Sequence, residues 1–108
     1  MNASIIMKRY YRRRRNGMNV PRGLVMMEFA DNLVRMGWSL CDKEDTFTKM
    51  SATTLAIKRI DDAAFVPYTD LIEQIVSMPH SLRAIAAEML TRGMRRVIYA
   101  RTHNKANI

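Results

Sequence analysis

The sequence predicts a mainly α-helical domain: a small bundle of three or four helices with a basic N-terminal arm and, at most, one short β-hairpin over residues 38–50. Three observations carry that expectation. Leu82, Ile85, Ala86, Met89, Leu90 and Val97 form the best heptad-like apolar stripe in the chain. Pro21 and Gly37 bracket a stretch in which Met26, Phe29, Ala30, Leu33 and Met36 recur at helical spacing, with proline suited to the first turn and glycine to the stop. Asp70 and Glu73 stand three apart, as in a capping box, for a helix through Leu71, Ile72, Ile75 and Val76.

In chain order, residues 1–19 read as a basic arm containing Asn16-Gly17, a strong turn pair. Within it Ile5, Ile6, Tyr10 and Tyr11 fit either a short edge strand or a helical turn. Residues 20–108 read as one helical domain, its last segment, 92–108, again basic. Its first helix is expected from Pro21 to about Met36. Trp38–Cys41 and Thr46–Met50 then flank Asp42-Lys43-Glu44-Asp45, a pattern that favours a hairpin with a four-residue polar turn. Ser51 is placed to cap a helix over Ala52 to about Ile60, and Asp61–Tyr68 is a connection ending at Pro67. Met78-Pro79 stops the Asp70 helix, and Ser81 caps the next. That helix pair loosely suggests helix-turn-helix geometry, although Met78-Pro79-His80 is not a tight turn. Gly93 is a candidate break, costing about 1 kcal/mol relative to alanine in a helix interior.

With 108 residues, the chain supports one modest core. Its 48% hydrophobic and 26% charged residues belong to a globular chain, not a disordered one. No apolar run approaches the ~18–20 residues that span a bilayer, so no membrane partner is expected. One cysteine, Cys41, allows no internal disulfide, which places the protein in a reducing cytoplasm.

The net charge of +8 is segregated. Residues 1–17 carry six bases and no acid, residues 92–108 five bases and no acid, and the body between carries ten acids against seven bases. Basic ends on a mildly acidic body point to a polyanion or an acidic partner. The arm Lys8-Arg9-Tyr10-Tyr11-Arg12-Arg13-Arg14-Arg15 mixes guanidinium forks with rings that can stack on bases, a composition suited to RNA, single-stranded DNA or a minor groove. Arg92, Arg95, Arg96 and Arg101 supply a second footprint; if the segment is helical, Arg92, Arg96, Tyr99 and His103 share a face opposite the apolar stripe.

The leading expectation is a small accessory protein that is not an enzyme and acts by binding DNA, RNA or a nucleic-acid-bound machine. The alternative is a protein-directed modulator, of the kind mobile elements use, that docks on a host nucleic-acid-processing protein. Its footholds would be the ten methionines, which suit adaptable surfaces as well as cores, and the loop Phe65-Val66-Pro67-Tyr68. Pro67 there is also a candidate site for a prolyl isomerase. A metal-dependent nuclease built on Asp42, Glu44, Asp45, Lys49, Asp61 and Asp62 is the third reading, but these acids fall where solvated ones are expected. No cofactor or metal site is expected: glycines are scattered, and Cys41, His80 and His103 lack ligand spacing. Those two histidines are also the only imidazole bases for a thiol nucleophile, so Cys41 reads as a structural thiol.

Overall fold

The computed structural model describes residues 4–41 and 48–106. Strands β1 (Ile5–Arg15), β2 (Met18–Ala30) and β3 (Leu33–Leu40) are followed by helix α1 (Lys49–Asp62), the two-residue strand β4 (Val66–Pro67), and helices α2 (Tyr68–Val76) and α3 (His80–Ala106). The strands form one antiparallel sheet in the order β1-β2-β3-β4. The fold is therefore α+β, and the expected helical bundle is overturned.

The reason lies in how β2 and β3 are buried. Helix α1 covers one face of the sheet, where Leu24 and Met26 meet Ala52, Ala56 and Ile60. Helices α2 and α3 cover the other, where Val25, Met27, Phe29, Val34 and Met36 meet Leu71, Ile75, Leu82, Ala86, Met89, Leu90 and Val97. A strand covered on both faces needs apolar residues at successive positions, so Leu24-Val25-Met26-Met27 shows no period of two. The stripe expected to make a helix over 21–36 is divided by the sheet. Met26 faces α1, Phe29 and Met36 face the layer of α2 and α3, and Leu33 is exposed.

Both hairpin turns place a non-glycine residue at positive φ. Asn16 (φ 53) and Gly17 (φ 78) close β1–β2, as a two-residue type I′ turn requires. Asp31 (φ 56) opens the β2–β3 turn, in the left-handed region that short polar side chains tolerate. Among the described residues the hairpin expected over 38–50 is replaced by other structure: Trp38, Ser39 and Leu40 pair with Val25, Leu24 and Gly23 of β2, while Lys49 and Met50 open α1. Residues 42–47 of that stretch, including its expected turn, lie outside the described residues.

Two glycines expected to end helices are instead points of close approach. Gly37 lies inside β3, where a Cβ would collide with the Ala56 carbonyl of α1. Gly93 lies inside α3, where a Cβ would overlap the Phe29 ring. Helix α1 is capped by Thr48 rather than Ser51, the Ser51 N–H donating to Thr48 Oγ1 at 3.2 Å. Met78-Pro79 does separate α2 from α3, but both helices are laid on the sheet by their apolar faces. The α3 stripe is buried as its periodicity requires, with Ile85 partly buried. Met26, Met27, Met36, Met78 and Met89 are core residues, whereas Met50 and Met18 are exposed.

Candidate nucleic-acid interface

Strand β1 is an edge of the sheet, and α3 runs antiparallel beside it. Arg12 shares a depression with Ser81 in the first turn of α3, Arg9 meets Glu88 two turns on, and Ile6 and Met7 lie beside Arg92 and Arg96. The alternation of a strand sets these positions. Ile5, Met7 and Tyr11 pack into the core under α3, Arg9 on the same face reaches Glu88, and Tyr10 turns to the α1 side.

The seam between β1 and α3 forms two adjoining depressions of about 690 and 270 Å³. Lys8 and Arg9 line both, Arg12 lines the first, and Arg92 and Arg96 line the second. The two basic ends of the chain thus converge on one surface. Among the described residues one acid stands against it: Glu88 pairs with Arg9 at 2.7 Å and with Arg92 at 2.7 Å, the three side chains being 43–61% exposed.

The seam leads into an arginine ribbon. β3 pairs with β2 only as far as Gly23, so Arg12–Arg15 pair with Pro21, Val20, Asn19 and Met18 in a hairpin that, among the described residues, has no third strand. A β-bulge between Tyr11 and Arg12 marks its base, adding twist where the ribbon leaves the body. Four rungs give it a length of about 14 Å. Arg12, Arg13 and Arg14 are exposed and alternate between its faces, and Met18 beside the turn is 70% exposed.

The other expected site residues are placed differently. Tyr10 and Tyr11 line the first depression but are half-buried. Tyr11 packs into the α3-side core, and Tyr10 packs beside α1, its hydroxyl 3.4 Å from Thr53 Oγ1 and its ring under Lys49 Nζ. Arg95 is exposed but lines neither depression. Arg101 lies at the far end of α3, where it donates to Asn32 Oδ1 at 2.8 Å and stands 4.0 Å from Asp31. Tyr99 and His103 stack on each other at 3.6 Å.

The loop expected to dock a protein is largely turned inward. Phe65 is half-buried beneath the Arg35 guanidinium, and Arg35 also pairs with Glu28 at 2.7 Å. Tyr68 packs against Phe29 and donates its hydroxyl to the Asp31 carbonyl at 2.7 Å. Burial raises the Tyr68 pKa, with Arg101 opposing and nearby Asp31 reinforcing that shift. Pro67 is exposed, in β4 beside Leu33.

Sequence reasoning missed Glu88 and Met18. Glu88 stands four residues before Arg92, the spacing of a helical ion pair, so half of its role was visible. Nothing local linked it to Arg9.

Cys41 lines a cavity of about 140 Å³ with Ser39, Leu40, Thr48, Ser51, Ala52 and Leu55, and neither His80 nor His103 reaches it. Among the described residues no three His, Cys, Asp or Glu side chains group as a metal site, and no helix is long and apolar enough to cross a membrane. Of the acids weighed for a nuclease, Asp42, Glu44 and Asp45 lie outside the described residues, while Asp61 and Asp62 are exposed at the end of α1. Comparison with protein-family models, with curated proteins and with solved structures finds no match, so what this surface does must be argued from its own geometry.

Proposed function

We propose that the protein binds nucleic acid through the β1–α3 seam and the arginine ribbon continuous with it, and that it acts by binding rather than by catalysis. The observation that carries this reading is the convergence of Lys8, Arg9 and Arg12 with Arg92 and Arg96 on one surface. The cations come from opposite ends of the sequence and extend, through Arg13 and Arg14, onto a narrow projecting hairpin. A linear array of guanidiniums matches the linear array of phosphates on a nucleic-acid backbone, and arginine's fork holds phosphate bidentately. An acidic protein would need no such extended row.

The test is the salt dependence of binding to a labelled oligonucleotide. An interface neutralising about six phosphates should lose about a thousandfold in affinity between 50 and 200 mM salt. Alanine at Arg12, Arg13, Arg14 and Arg15, and separately at Arg92 and Arg96, should weaken binding and flatten the slope by ~0.7–0.9 per lost contact. A flat salt dependence, or variants that bind like the wild type, sinks the proposal.

A further inference from the structure

Resting on that nucleic-acid reading, we infer that the ligand is duplex DNA, gripped by the ribbon in its minor groove, with Met18 as an apolar wedge that kinks the helix. Sequence-tolerant binding of single strands relies on aromatic rings on which bases stack. The two tyrosines of the basic arm line the first depression but are half-buried there, Tyr11 against the α3-side core and Tyr10 beside α1 with Lys49 Nζ over its ring, and neither lies on the ribbon. From Arg12 to Pro21 the ribbon carries no aromatic residue. What remains is charge and shape, which read a duplex through its phosphates and grooves.

The tip of the ribbon is narrow and unobstructed. A type I′ turn at Asn16-Gly17 is the tightest way to join two strands, and nothing stands within 4 Å of where a Gly17 Cβ would sit. The strands of such a ribbon are about 5 Å apart. Arg13 and Arg14 point to opposite faces just behind the turn, so the ribbon can offer a cation to each wall of a groove. An A·T-rich minor groove concentrates negative potential that attracts inserted arginines, and a kink toward the major groove opens it to a ribbon. A-form RNA offers instead a wide, shallow minor groove that would not clasp a ribbon from both sides.

Met18 follows the turn directly. At 70% exposure it is the most exposed large apolar side chain of the sheet, and it sits at the end of the most basic segment in the chain. An apolar group there contributes nothing to phosphate binding. Inserted methionine is one of the wedges that minor-groove proteins use to unstack a base step, kinking the duplex by about 20–90° toward the major groove. The wedge would leave water on binding, which a tip made only of arginine could not exploit.

The experiment uses the full chain and a 30-base-pair duplex (a length of about three helical turns) with an A·T-rich centre and a fluorophore at each end. Anisotropy reports binding, and energy transfer between the ends reports bending. The wild type should raise transfer on binding and prefer this duplex to the matching single strand and to duplex RNA. Met18→Ser should keep its affinity within about tenfold yet lose the rise in transfer, while Met50→Ser, at an exposed methionine on α1, should keep both. Duplex binding without a bend, or bending that survives Met18→Ser, overturns the wedge while leaving nucleic-acid binding intact. Tighter binding to the single strand or to RNA overturns the choice of duplex DNA. Absence of binding to all three at low salt overturns this inference together with the reading beneath it.

Discussion

Arg9 on β1 meets Glu88 on α3 at 2.7 Å, so the seam between edge strand and helix is closed by an ion pair whose carboxylate also takes Arg92 at 2.7 Å. In a surface proposed to hold phosphates, this carboxylate occupies the guanidiniums that a phosphate would use.

Glu88→Gln should therefore tighten binding to duplex DNA and steepen the salt dependence by ~0.9 for each arginine released. The effect on folding should be under about 1 kcal/mol, because half-exposed pairs contribute little after screening and side-chain entropy. Anisotropy titrations at several salt concentrations, alongside urea melts, check both halves. Unchanged or weaker binding by the folded variant would show that the pair does not compete with phosphate.

Gly93→Ala should destabilise the protein although it improves helix propensity. Propensity alone predicts a gain of about 1 kcal/mol. The added methyl would overlap the ring of Phe29, itself 1% exposed and fixed in the core between β2 and α3. Overpacking of this kind costs about 1–3 kcal/mol, so a net loss is expected. Urea denaturation of the two proteins decides the matter, since a stabilised variant would mean that the helix does not rest on that ring.

Tyr68→Phe should remove a pH-dependent contribution at the alkaline end. Burial raises the Tyr68 pKa above its ordinary 10.0, so the folded protein holds this proton more tightly than the unfolded chain does. The stabilisation is complete below about pH 10 and is lost as pH climbs through the folded-state value. The hydroxyl's bond to the Asp31 carbonyl contributes about 1 kcal/mol. Wild type should exceed the variant by about that much at pH 8, and the gap should close toward pH 11. A gap that widened with pH would reverse the assigned sign.

The first half of helix α3 was legible because Leu82, Ile85, Ala86, Met89 and Leu90 recur at the period of 3.6 residues, whereas its continuation past Gly93 was not. The turn at Asn16-Gly17 was legible because positive φ at two successive positions selects those residues. Strands β2 and β3 were not. Their spacing imitates a helix only while Met26 and Phe29 are assumed to share a face, and the sheet sends them to opposite helical layers. Gly37 and Gly93 misled for a related reason. A glycine that stops a helix and one that admits a neighbouring backbone or ring look alike until the neighbour is known.

The candidate site divides along the same line. The sequence by itself determined the inventory: two basic ends around an acidic body, an NG turn, and two tyrosines among arginines. Only the tertiary structure decided which of these act together. Pairing β1 to β2 made the arm an edge strand with a projecting ribbon, and laying α3 beside that edge brought Arg92 and Arg96 to Lys8, Arg9 and Arg12. The same packing left Tyr10 and Tyr11 half-buried in the floor of the first depression and committed Arg101 to the β2–β3 turn. Local sequence sets charge and turn geometry because these depend on neighbours along the chain. Which face of a strand is buried depends on what covers it, and for β2 the covering helices lie dozens of residues downstream.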